Sequence, residues 1–340
     1  MQPPSVSSTI DLTSPGKQIG SLRYPKISNN GGWAYDLMPI ATIANDDGPT
    51  VLISGGNHGN EYEGQIACLR LIDEIEANQV RGRLIVVPVI SRDAAWASTR
   101  LWPSGANFNR SFPGRPDGAP NEQLADYFTR VLFPMADVVI DLHSGGNAFW
   151  FIPCSHMHVV EDRAQRNAML DGMLAWNSDF HFLYVDVNGA GLLPVEAENQ
   201  GKIVITTELG GGGRVPAFVH RLAWNGLTNV LRHLGALAGT VETRESLGLP
   251  PAVIIDGREP ENYVNTDEPG FWENLHEPGD AVVAGDPVGR LWFPERPDRG
   301  PRVFTAPRDG IIAVVRAMTP TLAGDSLFVL GQPIEASAIR

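Results

Sequence analysis

The stretch "TVLISGGNHGNEYEG", residues 50–64, runs from aliphatic and β-branched residues through two glycines into a polar turn. Residues 50–54 carry no charge and no apolar–polar alternation, which reads as a strand buried on both faces. The continuation "EYEGQIACLRLIDEIEAN" sets Ile66, Leu69, Ile72 and Ile75 at helical spacing. A strand passing through a glycine turn into a helix is the repeating unit of an α/β sheet. It places His58 and Glu61 at the strand's carboxyl end, where ligands collect in such sheets.

The same alternation continues outward. "GRLIVVPVIS" (82–91), "DVVIDLHSGG" (137–146) and "KIVITTELGGGG" (202–213) read as further buried strands. "NEQLADYFTRVLFPMA" and "DRAQRNAMLDGMLAWNS" read as helices, and so does "PAFVHRLAWNGLTNVLRHLGALAG", with Phe218, Leu222, Leu227, Leu231 and Leu234 along one side. Residues 1–45 read as strands ahead of this unit. The fold class expected is α/β, a mostly parallel mixed sheet flanked by helices. After about residue 240 the helical signals stop. Short β runs with many Pro and Gly ("AVIID", "GDAVVAGDPVGRLWF", "RVFTAPRDGIIAVV", "DSLFVLG") predict a smaller all-β domain over 250–340, behind a catalytic domain over 1–240. Its phrasing is similar to a barrel-sandwich half of lipoyl and biotinyl domains. No lysine follows Lys202, so none is there to carry a swinging cofactor, and a site-shaping role is expected.

Composition narrows the function classes. Hydrophobic content of 43% and charged content of 19% suit a folded chain with a sizeable core. A net charge of −13 argues against nucleic acid and against an anionic membrane surface as partners. No apolar run is long enough to span a bilayer. "MQPPSVSSTIDLTSPGK" has neither the basic nor the apolar region of a secretory signal, so a cytoplasmic location is expected. Cys68 and Cys154 read as buried free thiols.

Three strands end in titratable residues: His58 with Glu61, His143, and Glu208. Two histidines and one glutamate are a common catalytic zinc set, with the fourth position left to water. His-x-x-Glu alone is equally a polar loop and helix cap, and His143 alone a satisfied strand-end histidine. Their occurrence at converging strand ends favours the metal. Glu208 then reads as a general base taking the proton of the attacking water, the alternative being a carboxylate paired with an arginine. The glycines at 210–213 suggest room for a substrate beside it. The long segment 98–116 carries Arg100, Asn107, Asn109, Arg110 and Arg115. Arginine forks bind carboxylates and developing oxyanions, and a solvated basic loop is the plainer alternative. His156 and His158 could hold a second metal, but a surface loop pair is the expectation. His181, His220, His233 and His276 read as structural.

"GGNHGNEYEG", "NFNRSFPG", "DLHSGG" and "TTELGGGG", in this order, resemble the succinylglutamate desuccinylase/aspartoacylase family over roughly residues 45–235. That family is a branch of the zinc carboxypeptidase-like fold with an added C-terminal β domain. The resemblance implies one zinc ion per chain held by His58, Glu61 and His143, with Glu208 as general base. It also implies that Asn109 and Arg110 grip a substrate carboxylate. Arg100 would steady the oxyanion, although two extra residues separate it from Asn109. Within the family, "NRSFPGRPDG" and "ELGGGG" are most similar to the branch that deacetylates N-α-acetyl-L-2,4-diaminobutyrate in ectoine breakdown. The implied partner is thus a small N-acyl amino acid, with Glu196, Glu198 or Asp186 as acidic candidates for its ammonium. A deacylase of N-acetylaspartate or N-succinylglutamate, a metallocarboxypeptidase and a catalytically silent binder are the rivals. The general frequency of two-fold oligomers makes a homodimer the default expectation.

Overall fold

The computed structural model describes residues 5–26, 31–185 and 190–340. Its centre is a mixed sheet in which Thr50–Gly55 lies between Gly82–Val87 and Val138–His143, parallel to both, and Ile203–Glu208 runs parallel on the far side of Val138–His143. All these strands therefore end at the same edge. Tyr35–Asn45 and Gly16–Pro25 extend the sheet antiparallel beyond Gly82–Val87. On the other side Cys154–Met157 inserts antiparallel beside Ile203–Glu208, followed by Phe180–Leu183 and Val253–Asp256.

Side-chain alternation divides the core in two. Val51, Ile53, Ile140 and Leu142 face the helices Tyr62–Glu74 and Ala217–His233. Leu52, Val139 and Val204 face the layer that contains Phe128, Phe133, Met169 and Met173. Both faces being covered explains the unbroken apolar strands, and each fully buried Leu or Ile contributes roughly 1.5–3 kcal/mol.

Of the large residues that suggested the buried face of the first helix, Ile75 is buried and Ile72 packs against the core, but the first two do neither. Ile66 and Leu69 are exposed, and the buried side is Gly64, Ala67, Cys68 and Leu71. The reason is distance: a Cβ on Gly64 would stand 2.5 Å from Leu142 Cβ, so only small residues let the helix lie this close to the strand. Phe218 is likewise exposed, with Val219, Ala223 and Leu227 inward.

The C-terminal strands form a four-stranded antiparallel sheet of Arg302–Thr305, Pro287–Trp292, Gly270–Asn274 and Pro320–Thr321. Trp272, Leu291 and Phe304 pack from it onto Leu327, Phe328 and Leu330. The strand Ser326–Ile334 continues the main sheet through Val253–Asp256, and Gly310–Arg316 pairs with Phe149–Phe151. The C-terminal segment thereby reaches the edge at which the parallel strands end.

Candidate active site

His58 and Glu61 sit in the turn between Thr50–Gly55 and Tyr62–Glu74. Gln65 fixes that turn by donating to the carbonyls of Gly59 and Glu61 at 2.9 and 3.0 Å. His143 and Glu208 are the last residues of neighbouring parallel strands and lie side by side in register. All three of His58, Glu61 and His143 are buried, and their donor atoms lie within 4.8 Å of one another. Glu61 Oε2 is 2.8 Å from His143 Nδ1, and Oε1 is 2.7 Å from His58 Nδ1. The second contact lies off the line a hydrogen bond requires, so both ring nitrogens of His58 lack a partner.

Burial pushes His58 down to about 4, against the pull of Glu61, so its ring is neutral with one nitrogen lone pair to offer. Burial works against the charge on Glu61, yet His58 and His143 hold it well below the usual carboxylate range. Buried polar groups without partners are costly, and buried carboxylates are paired or bind metal. Two imidazoles and a carboxylate, dry and converging, fit a divalent transition-metal ion.

Asp141 supports this trio and was not singled out from the sequence. Its Oδ2 accepts from His143 Nε2 at 2.8 Å, and it also accepts from Ser54 Oγ and Asn57 Nδ2. That fixes the His143 ring with Nδ1 turned toward Glu61, as second-sphere carboxylates do for metal-binding histidines. The Asp-x-His spacing on one strand face was the available signal. Asp141→Asn is expected to weaken metal binding by about 10- to 100-fold, read by competition with a chelator.

Glu208 is half-buried beside the trio, with its Oε2 atom covered and unpartnered. Burial and then the charge of Glu61 push it up to about 8. Arg100 joins the cluster directly, its Nη1 donating to Glu61 Oε1 at 3.0 Å. Asn109 Oδ1 accepts from the Leu193 backbone at 2.8 Å, and Arg110 Nη1 donates to the Asn109 carbonyl at 2.6 Å. A cavity of about 130 Å³ holds His58, Glu61, His143, Asn109 and Glu208 on its walls. It continues past Arg100, Arg110, His156, Tyr184 and Glu208, which line both spaces, into one of about 260 Å³ walled by Phe151, Phe182, Tyr263, Val314 and Val329.

Other expectations change. Arg115 is exposed, near Glu122, and lines neither cavity. His156 and His158 are not a surface loop: they lie on and just after the strand Cys154–Met157, with His156 buried and His158 bound to Glu198 at 2.9 Å. Among the described residues His58, Glu61 and His143 form the one trio that could hold a metal. Neither Glu198 nor Glu196 lines the cleft, and Asp186 lies outside the described residues. The glycines at 210–213 do not open space beside Glu208. A Cβ on Gly211 would stand 2.2 Å from the Phe149 carbonyl, and the loop instead hydrogen-bonds to residues 145–151.

Residues 47–234 match the succinylglutamate desuccinylase/aspartoacylase catalytic domain. This chain belongs to that family. The N-alpha-acetyl-L-2,4-diaminobutyric acid deacetylase of Halomonas elongata is 35% identical to it, over 98% of this chain and 97% of its own. The product-bound structure of the ectoine utilization protein EutE (DoeB) from Ruegeria pomeroyi matches with a TM-score of 0.93 at 36% identity, covering 98% of this chain and 100% of that one. A succinylglutamate desuccinylase/aspartoacylase from Rhodobacter sphaeroides matches at 0.92 and 33%, over 97% and 99% of the two chains. As a member of the succinylglutamate desuccinylase/aspartoacylase family, the chain is a hydrolytic enzyme acting on N-acyl amino acids.

Proposed function

We propose that the enzyme is a zinc-dependent deacetylase that converts N-α-acetyl-L-2,4-diaminobutyrate to 2,4-diaminobutyrate and acetate, as a step in ectoine degradation. The observation that carries this reading is the buried His58–Glu61–His143 trio with an unpartnered Glu208 beside it, in a chain alike over its whole length to a deacetylase of that substrate.

His58, Glu61 and His143 would hold one zinc ion per chain, and the ion would supply a Lewis acid for the water and the acyl carbonyl. Glu208 takes the proton from the attacking water and returns it to the leaving nitrogen, which departs as the free amine. Arg100, already within hydrogen-bond distance of the trio, stabilises the negative charge that develops on the acyl oxygen. Arg110 and the Asn109 amide hold the substrate's α-carboxylate, with the Asn109 side chain pinned by Leu193 so that its NH₂ is left for the ligand. Residues 1–240 supply the catalytic groups. Residues 250–340 close the far wall through Tyr263, Val314 and Val329, which limits the substrate to a small one.

The test is free amine release from N-α-acetyl-2,4-diaminobutyrate, N-acetylaspartate and N-succinylglutamate, with and without chelator. Chelator-sensitive turnover of the first, at least about tenfold above the others in kcat/KM, is the expected result. Preference for an acidic substrate would replace the substrate assigned here and keep the deacylase. Release of a C-terminal residue from a peptide instead would make it a carboxypeptidase.

A further inference from the structure

The cleft holds a polar atom that the mechanism above leaves idle. His156 lies on the strand Cys154–Met157, opposite Thr206 of Ile203–Glu208. The residue is 4% exposed and lines both parts of the cleft, and its Nε2 has no hydrogen-bond partner. The Tyr184 ring stands edge-on to it, with centroids 4.4 Å apart at 76°, which fixes the imidazole plane.

The neighbours of the other ring nitrogen decide what Nε2 can do. Thr206 Oγ1 lies 2.8 Å from the His156 carbonyl oxygen and 3.0 Å from His156 Nδ1. A hydroxyl has one proton, and the carbonyl can only accept. The Thr206 proton therefore goes to the carbonyl, and Nδ1 carries the hydrogen that completes the second bond. Nε2 is left as a bare lone pair. Burial pushes His156 well below the ordinary histidine value, which keeps the ring neutral. A neutral acceptor, dry and unsatisfied, asks for a donor from a ligand.

Among the described residues, no carboxylate outside the catalytic cluster lines the cleft to meet a cationic side chain. Those of the cluster are Glu61, in the metal trio, and Glu208, the base. Glu198 is behind the wall, accepting from His158.

Resting on the deacylase reading above, we propose that His156 is the specificity residue for the substrate side chain. Its Nε2 accepts a hydrogen bond from the γ-ammonium of a 2,4-diamino acid and thereby selects a short cationic side chain over an acidic one. An aspartate or glutamate side chain would set a carboxylate against that lone pair, with neither able to donate.

The experiment compares kcat/KM for N-α-acetyl-2,4-diaminobutyrate with that for N-α-acetylnorvaline, in which a methyl group replaces the ammonium. In the zinc-loaded wild-type enzyme the cationic substrate is expected to lead by about tenfold to hundredfold, the value of one hydrogen bond to a charged group. His156→Leu is expected to bring the ratio to within about threefold of unity, chiefly through KM, and His156→Gln, which keeps an acceptor, to restore part of it. Thr206→Val removes the hydroxyl that fixes the tautomer and should lower the ratio too, which provides a second reading if the His156 variants do not fold. A structural role would depress both substrates together, so variants that keep the wild-type ratio would overturn the proposal. Equal turnover of the two substrates by the wild type would also overturn it, with the deacylase intact. Failure of the wild type to hydrolyse the diaminobutyrate substrate at all, while cleaving N-acetylaspartate, would remove the substrate reading and this proposal with it.

Discussion

Glu208→Ala is expected to lower kcat for the N-acetyl substrate by about 10²- to 10⁴-fold while zinc content stays that of the wild type. The expectation follows from where Glu208 sits. It ends the strand next to that of His143, so it reaches the cluster without belonging to the trio. Its Oε2 has no hydrogen-bond partner to lose, and the fold should survive truncation. Burial and the charge of Glu61 raise it to about 8, which favours the protonated form at neutral pH. A divalent cation among His58, Glu61 and His143 opposes that shift and favours the carboxylate a general base must be. Occupancy of the trio and readiness of the base are thus linked. Measurement of kcat with metal analysis on the same sample checks the prediction, and undiminished turnover in the variant would remove Glu208 from the mechanism.

His58→Ala should act earlier, on binding of the ion itself. Both nitrogens of His58 lack a hydrogen-bond partner, and the neutral ring is already the ligand form. Removing it leaves one imidazole and one carboxylate, too few for a catalytic zinc site. Turnover is expected to fall by about a thousandfold or more, reflecting several kcal/mol of lost Lewis-acid stabilisation. The increase in melting temperature that zinc gives the wild type should disappear as well, since an ion that binds only the folded state stabilises it by mass action. A variant that kept both zinc and activity would show that the ion is held elsewhere.

Much of this site could be read from the chain because its parts obey local rules. Buried parallel strands announce themselves as apolar runs, and each of three such runs ends in a titratable residue followed by glycine or a polar turn. His58, Glu61, His143 and Glu208 were legible on that ground. Asp141 was written two residues before His143, on the same strand face, yet its value depends on the ring orientation it imposes, which spacing alone does not state. His156 was misjudged for a different reason. The run Cys154–Met157 is only four residues long, and it becomes part of the cleft because it inserts antiparallel between Ile203–Glu208 and Phe180–Leu183. That is a non-local pairing, invisible to periodicity. In the first helix the large residues mark the buried face only at Ile72 and Ile75; nearer its start, close approach to Leu142 selects small residues and leaves Ile66 and Leu69 outside. The glycines after Glu208 marked a real constraint, but it is contact with Phe149 rather than space for a substrate.

One zinc ion held by His58, Glu61 and His143 is expected to make this chain a deacetylase. The most direct measurement strips the protein with chelator and titrates zinc back while acetate release from N-α-acetyl-2,4-diaminobutyrate is followed. No turnover is expected without metal, with a linear return that saturates at one equivalent per chain. Turnover that survives complete removal of metal, or that requires a second equivalent, would contradict that expectation.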